Sequence, residues 1–166
     1  MKKIFYVVFF FLLFGCDVKL DWYLNFPPRS AKDEFFIAVS SGDFEKVKKF
    51  IEEGIIGVNE IVEDVYHQRP LYIATYYGDE KIVLYLLEMG ADINAKAVET
   101  AAATALHLAI GKNHERIAHK LLDLGADPSI DLNSGISTCL YAKRNKMQSI
   151  VDRLPSCKTV IPSTVC

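Results

Sequence analysis

The chain contains an internal repeat with a spacing of 35 residues. Residues 69–94 align without a gap on residues 104–129, over 26 positions. The matched positions include apolar residues and a glycine turn that recur at this spacing: Leu71 and Leu106, Ala74 and Ala109, Ile82 and Ile117, Gly90-Ala91-Asp92 and Gly125-Ala126-Asp127. A period of this length is typical of solenoids, in which each unit buries its apolar face against the next. We therefore expect a stack of similar units.

Two weaker copies flank the central pair. Residues 35–54 align on the first clear copy with a shift of 36, and residues 137–154 align on the second with a shift of 33. Terminal repeats of a solenoid usually depart from the pattern because one of their faces meets solvent. The sequence thus predicts about four repeats.

The two clear copies resemble the ankyrin repeat. They carry the segments Arg69-Pro70-Leu71-Tyr72-Ile73-Ala74 and Thr104-Ala105-Leu106-His107-Leu108-Ala109, each followed by a helical stretch and the Gly-Ala-Asp turn. The resemblance implies an all-α solenoid of about four helix-turn-helix repeats with capping end repeats. It covers residues 32–154 and leaves residues 155–166 as a C-terminal tail. It also implies that Thr104 and His107 share a hydrogen-bond arrangement, which repeat two lacks because Arg69 and Tyr72 replace this pair.

The resemblance also implies a binding surface. Ankyrin domains generally recognise proteins through their hairpin tips and the exposed side of their first helices. Among the positions that correspond to this concave surface, we expect six to contact a partner: Tyr66, Gln68, Tyr76, Tyr77, Lys112 and Arg144. Tyrosine and arginine are enriched in interface hot spots, and Tyr77 is the strongest single candidate. Alternatively, Tyr72 and Tyr76 pack between repeats.

Catalysis is not indicated. The four histidines, His67, His107, His114 and His119, are scattered over different repeats. Sequence motifs of nucleophilic, phosphate-binding or zinc sites are absent from the chain. We expect no enzymatic activity, no cofactor and no metal.

Charge argues against a nucleic-acid partner. The chain has 19 Lys and Arg and 21 Asp and Glu, a net charge of −2. Without Lys2 and Lys3 the net charge would be −4. Phosphate binding requires clustered cations, and the mild basic run Lys143-Arg144-Asn145-Lys146 is too short to provide such a cluster.

The N-terminal residues are typical of a signal peptide. Two lysines precede an apolar run from Ile4 to Phe14, which is shorter than the roughly 20 residues that a membrane-spanning helix needs. Leu13-Phe14-Gly15-Cys16 resembles the lipobox of bacterial lipoproteins. The resemblance implies that residues 1–15 are removed and that a lipidated Cys16 anchors the protein in the cell envelope, facing the periplasm. By the rule that holds in enteric bacteria, Asp17 would favour retention at the inner membrane.

Residues 16–31 then form a linker or N-terminal extension rich in apolar side chains. This segment covers the first repeat, contributes to the partner surface or rests in the membrane interface. Three further cysteines, Cys139, Cys157 and Cys166, follow in the mature chain. In an oxidising compartment two of them can pair. Cys157 with Cys166 is the expected disulfide, and Cys139 is then a small buried apolar residue.

Taken together, the sequence predicts a lipid-anchored module that binds another protein. One hypothesis is an immunity or self-protection inhibitor that binds a toxin or hydrolase in the periplasm. The alternative is a scaffold or adaptor for a resident envelope enzyme or complex. The two hypotheses differ in the nature of the partner and in the affinity for it.

Overall fold

The computed structural model describes residues 30–62, 68–97 and 103–158. Within these ranges every regular element is a helix. The described helices are α1 (Ala31–Ser41), α2 (Phe44–Glu52), α3 (Pro70–Tyr77), α4 (Glu80–Glu88), α5 (Ala105–Gly111), α6 (Glu115–Asp123), α7 (Thr138–Arg144), α8 (Gln148–Val151) and α9 (Pro155–Lys158). The first eight form four successive pairs, and each pair is one repeat.

The helices lie in two layers. The first helices of the repeats, α1, α3, α5 and α7, each pack against their neighbours and form the inner layer. The second helices, α2, α4, α6 and α8, do the same in the outer layer. This arrangement confirms the expected all-α solenoid of about four helix-turn-helix repeats.

Small residues allow the inner helices to approach one another closely. The alanine at the same position of each inner helix is at most 1% exposed: Ala38, Ala74, Ala109 and Ala142. Larger apolar side chains fill the space between the layers, and Ile82, Leu86 and Leu121 are completely buried. The small residues that recur at Ala74 and Ala109 in the repeat are thus needed for close helix packing.

Helix boundaries follow from local chemistry. Pro70 begins α3, where the missing N–H costs nothing because that group has no partner inside the helix. The carboxylates of Asp43 and Asp79 accept the N–H groups of Lys46 and Ile82 at 3.1 and 2.9 Å. These caps satisfy free donors at the starts of α2 and α4.

Asparagine side chains join the hairpin after one repeat to the glycine turn of the next. Asn59 Oδ1 accepts the N–H of Asp92, and Asn94 Oδ1 accepts the N–H of Asp127, both at 2.8 Å. Asn59 Nδ2 also donates to the carbonyl of Gly90 at 3.0 Å. The two asparagines recur at the 35-residue spacing, so the repeats are held together by directional bonds as well as by apolar contact.

A buried histidine joins repeats three and four. The N–H of Thr104 points at His107 Nδ1 at 3.3 Å, so this ring nitrogen accepts. The other nitrogen, Nε2, therefore carries the proton and donates to Thr138 Oγ1 at 3.1 Å, and that hydroxyl donates to the carbonyl of Ile130 at 3.1 Å. His107 is 1% exposed. The expected Thr104–His107 arrangement is present in repeat three and extends into repeat four.

This network requires a neutral imidazole. Burial lowers the pKa of His107 below its ordinary value of 6.5, against an opposing effect of the Asp131 charge. A second ring proton, on Nδ1, would also face the N–H of Thr104. The unfolded chain therefore binds a proton at a higher pH than the folded chain does, and stability falls as the pH drops through the ordinary range of histidine.

We expect wild-type protein to lose more unfolding free energy between pH 7.5 and 5.5 than His107→Gln, measured by urea denaturation at each pH. Thr138→Val keeps the imidazole and removes its partner, so it should lower stability by about 1–2 kcal/mol at pH 7.5. Equal pH dependence in wild type and His107→Gln would contradict this role.

A disulfide fixes the C-terminal end of the described chain. Helix α9 packs against α7 and places Cys157 with its Cα 5.4 Å from that of Cys139, to which it is bonded. The expected pair of Cys157 with Cys166 is therefore wrong, because α9 turns back toward the repeats and does not extend away from them. Cys166 lies outside the described residues. The start of the segment expected to be a simple tail is thus a helix crosslinked to repeat four.

Loss of this bond should lower stability. The disulfide closes a loop with a sequence separation of 18 residues, for which we expect a contribution of about 3 kcal/mol. The double variant Cys139→Ala/Cys157→Ala should show this loss in urea denaturation, whereas Cys166→Ser should not. Alkylation and mass analysis of non-reduced peptides checks the pairing, and a Cys157–Cys166 peptide would contradict it.

Candidate functional site

Two neighbouring tyrosines form the most exposed aromatic surface of the described residues. Tyr76 and Tyr77 end helix α3 and are 45% and 47% exposed. They lie on the inner layer, where the expected concave surface is. The alternative for Tyr72 and Tyr76 is that both pack between repeats. Tyr72 is half-buried, whereas Tyr76 is exposed.

These rings belong to a continuous surface across three repeats. The ring of Tyr77 meets that of Phe36 in repeat one, with centroids 6.2 Å apart, and that of Tyr76 with centroids 5.2 Å apart, both edge to face. Lys112 Nζ of repeat three lies 3.8 Å from the centre of the Tyr76 ring. We call Phe36, Tyr76, Tyr77 and Lys112 the aromatic patch.

The turn after α3 holds the patch in place. Gly78 has a φ of 79°, a left-handed conformation that glycine adopts without strain. A Cβ at this position would also lie 2.6 Å from the ring of His114. That ring fits over the turn and brings its Nε2 within 3.2 Å of the Tyr76 carbonyl. His114 therefore ties the end of α3 to repeat three.

A gap beside the patch is occupied from repeat four. A Cβ at Gly111 would lie 2.5 Å from the hydroxyl oxygen of Tyr141, so the absence of a side chain lets Tyr141 reach across α5. Arg144, in the last turn of α7, is exposed and occupies the repeat position equivalent to Gly111 and Tyr76. The predicted contacts Tyr76, Tyr77, Lys112 and Arg144 thus all lie on the exposed part of the inner layer.

Gln68 differs from its expected role. Its side chain is 3% exposed and is not accessible to a partner. The residue closes the hairpin before α3, where its carbonyl accepts the N–H of Val62 at 3.0 Å, and this position faces the body of the repeat. Tyr66, the remaining predicted contact, lies outside the described residues, as does the predicted lipidation site Cys16.

Phe36 and Tyr141 were missed as parts of this surface. Phe36 lies in a weak copy of the repeat, at a position equivalent to the half-buried Tyr72. Tyr141 belongs to this surface because its hydroxyl lies above Gly111, a contact that the repeat pattern does not indicate. A glycine within an inner helix, where no left-handed turn needs one, was the available sequence signal.

One polar cluster contains the residue types of a catalytic triad but not their arrangement. Arg153 donates to His119 Nδ1 at 3.0 Å, so His119 Nε2 carries the proton and donates to Ser149 Oγ at 3.2 Å. The Ser149 hydroxyl in turn donates to the carboxylate of Glu115. Nucleophilic catalysis requires the histidine to accept the serine proton, and here the direction is reversed. Arg153 also bonds Asp123 at 2.6 Å and lowers the pKa of that carboxyl, so the cluster joins repeats three and four.

Two other kinds of site are not found in the described ranges. Histidine, cysteine, aspartate and glutamate side chains there do not gather in groups of three or more that could hold a metal ion. Among the same residues, no helix has the length and apolar character needed to cross a membrane.

Comparisons with known proteins agree with the repeat architecture. A family model described as "Ankyrin repeats (3 copies)" matches residues 6–97, and one described as "Ankyrin repeat" matches residues 103–132. The chain is similar to putative ankyrin repeat protein FPV022 of Fowlpox virus, with 30% identity over 86% of this chain and 23% of the relative. It is also similar to the palmitoyltransferase AKR1 of Lachancea kluyveri, with 33% identity over 58% of this chain and 13% of the relative.

A human relative gives the same result. Ankyrin repeat domain-containing protein 40 of Homo sapiens is 31% identical over 57% of this chain and 25% of its own length. The chain therefore spans a quarter or less of the length of each of these three relatives. Because the first family model covers more than half of the chain and the four stacked helix pairs have the same period, this chain belongs to the ankyrin repeat family.

Proposed function

We propose that this chain binds another protein through the aromatic patch of its inner layer, with Tyr76 and Tyr77 at the centre. Ankyrin repeats are in general protein-binding modules and not catalysts. The observation that carries the proposal is the exposure of two adjacent tyrosine rings, 45% and 47%, on a rigid scaffold. Rigid aromatic side chains lose little entropy on binding and are enriched at interface hot spots.

The rings are also oriented before a partner arrives. Phe36 supports one edge of the pair and the Lys112 ammonium covers the Tyr76 ring. A surface that already has its bound geometry avoids part of the ordering cost of association. This pre-organisation supports a partner contact at the patch.

The Tyr76→Ala/Tyr77→Ala variant should weaken partner binding by about 2 kcal/mol or more if the pair is a hot spot. The partner is first captured by crosslinking the tagged protein in its native cells, and affinities are then measured with purified components. Met89→Ala/Leu124→Ala is the matched control, because these side chains are 43% and 53% exposed outside the patch. Circular dichroism checks that both variants are folded. Equal affinities for the tyrosine variant and wild type would contradict the proposed site.

For the biological role, we favour an immunity or self-protection inhibitor that binds a toxin or hydrolase in the periplasm. The predicted lipid anchor, together with an exposed aromatic patch suited to binding a protein, supports this role. The alternative is an adaptor for an envelope enzyme or complex. The relatives named above come from a yeast, a poxvirus and human, so the bacterial setting rests on residues 1–16 alone. Assay of the captured partner separates the roles: an inhibitor lowers its activity, and an adaptor leaves it active or raises it.

The lipid anchor has a direct test. Wild-type protein should incorporate a labelled fatty acid and sediment with membranes, and Cys16→Ser should do neither, because the thiol that would carry the lipid is gone. Cys166→Ser serves as the matched cysteine control and should behave as wild type. Wild-type protein that takes up no label would contradict lipidation. Membrane association of Cys16→Ser without label would indicate that the apolar run itself also holds the chain.

A further inference from the structure

The inner layer of repeats three and four is positively charged. Residues 103–114 and 132–147, which contain α5, α7 and the turns after them, include no aspartate or glutamate. They carry four exposed cations: Lys112, Lys143, Arg144 and Lys146. We call these four residues the basic edge. The whole chain has a net charge of −2, so this distribution is local.

Among the described residues, several other cations have acidic partners and the four residues of the basic edge do not. Ion pairs join Lys32 to Glu60 at 2.8 Å and Arg153 to Asp123 at 2.6 Å. Further pairs join Lys46 to Glu34, Lys48 to Glu52 and Arg116 to Glu80. None of the described carboxylates forms such a pair with a residue of the basic edge.

The basic edge adjoins the aromatic patch. Lys112 belongs to both, because its ammonium lies 3.8 Å from the centre of the Tyr76 ring. Gly111 separates Tyr76 from Arg144 along one row of equivalent positions, and the Tyr141 hydroxyl lies above this glycine. A ligand that packs on Tyr76 therefore meets a hydroxyl donor and cationic groups as it continues toward repeat four.

We propose that the partner segment bound here is acidic, with an aromatic or apolar side chain on Tyr76 and Tyr77 and carboxylates along the basic edge. This inference rests on the proposed function and specifies its partner. Carboxylates accept charge-assisted hydrogen bonds from lysine and arginine. Complementary charge also orients a segment and raises its association rate. The ligand would lie across the inner helices, with its acidic part over repeats three and four.

The basic edge has two alternative explanations: stabilisation of a helix end, and binding of an anionic ligand other than a protein. Lys143 and Arg144 lie in the last turn of α7, where positive charge stabilises a helix end. Lys49 and Lys120 occupy the last turns of the outer helices α2 and α6. Replacing them removes the same kind of helix-end stabilisation, so a variant of these two lysines is the matched control. Nucleic acid or an anionic membrane would also bind these cations. Unlike a protein segment, neither would place an amino-acid side chain on the adjacent aromatic patch.

The test selects random short peptides on the full-length protein from a display library and measures the affinity of the enriched peptides. We expect enrichment of peptides that combine Asp or Glu with an aromatic or large apolar residue. Lys143→Glu/Arg144→Glu should bind these peptides more weakly than wild type does, by about tenfold or more. The affinity of wild type for them should fall as the salt concentration rises. Binding to the control Lys49→Glu/Lys120→Glu should remain within about twofold of wild type.

The outcomes separate this inference from the proposed function. Selected peptides that are neutral or basic, or no enrichment at all, overturn the acidic partner. Peptides that lose affinity on Tyr76→Ala/Tyr77→Ala but not on Lys143→Glu/Arg144→Glu also overturn it and leave the proposed site intact. Acidic peptides that bind the tyrosine variant as they bind wild type count against the site itself. The protein could instead bind random-sequence DNA or RNA, or vesicles containing anionic lipid, more tightly than it binds the selected peptides. If Lys143→Glu/Arg144→Glu abolishes that binding, the basic edge belongs to those ligands and the inference is overturned.

Discussion

The stacking of one helix pair on the next is the interaction on which the rest of this structure depends. The described helices have between four and eleven residues, and helices of this length are marginal in water when isolated. The alanine of each inner helix is buried against its neighbours, and the apolar side chains of both layers join a single core cluster. Each repeat therefore gains its stability from the adjacent repeats, and the exposed inner surface is rigid because the layer beneath it is closely packed.

Directional polar bonds add register to this apolar stack. Asn59 and Asn94 bind the backbone of the next glycine turn, and His107 joins Thr104 to Thr138. An apolar contact alone tolerates small shifts of one repeat against the next, whereas these hydrogen bonds break if the repeats slide. The placement of Lys112 over Tyr76, a contact between two repeats, depends on the same register.

The period of the sequence was sufficient to predict the fold and the inner position of Tyr76, Tyr77, Lys112 and Arg144. This succeeded because identical spacing puts equivalent residues on equivalent faces. The period failed where a contact is particular to one site. Gln68 faces inward because its hairpin closes there, and Cys157 reaches Cys139 because α9 turns back. The reach of Tyr141 above Gly111 also depends on one missing side chain. The aromatic patch is a product of such local packing, so its extent needed the structure.

The crosslink between α9 and α7 makes the two ends of the solenoid unequal. In an array with mainly nearest-neighbour contacts, opening proceeds from the ends inward. The C-terminal end is closed covalently and is also joined inward through His107 and Arg153, whereas the described disulfide does not involve α1. Amide protection should therefore rise from repeat one toward repeat four. The aromatic patch extends from Phe36 in repeat one to Lys112 in repeat three, so a ligand bound there would hold the less stable repeat one against the more stable repeats. Hydrogen exchange in repeat one would then slow even at amides that the ligand does not contact.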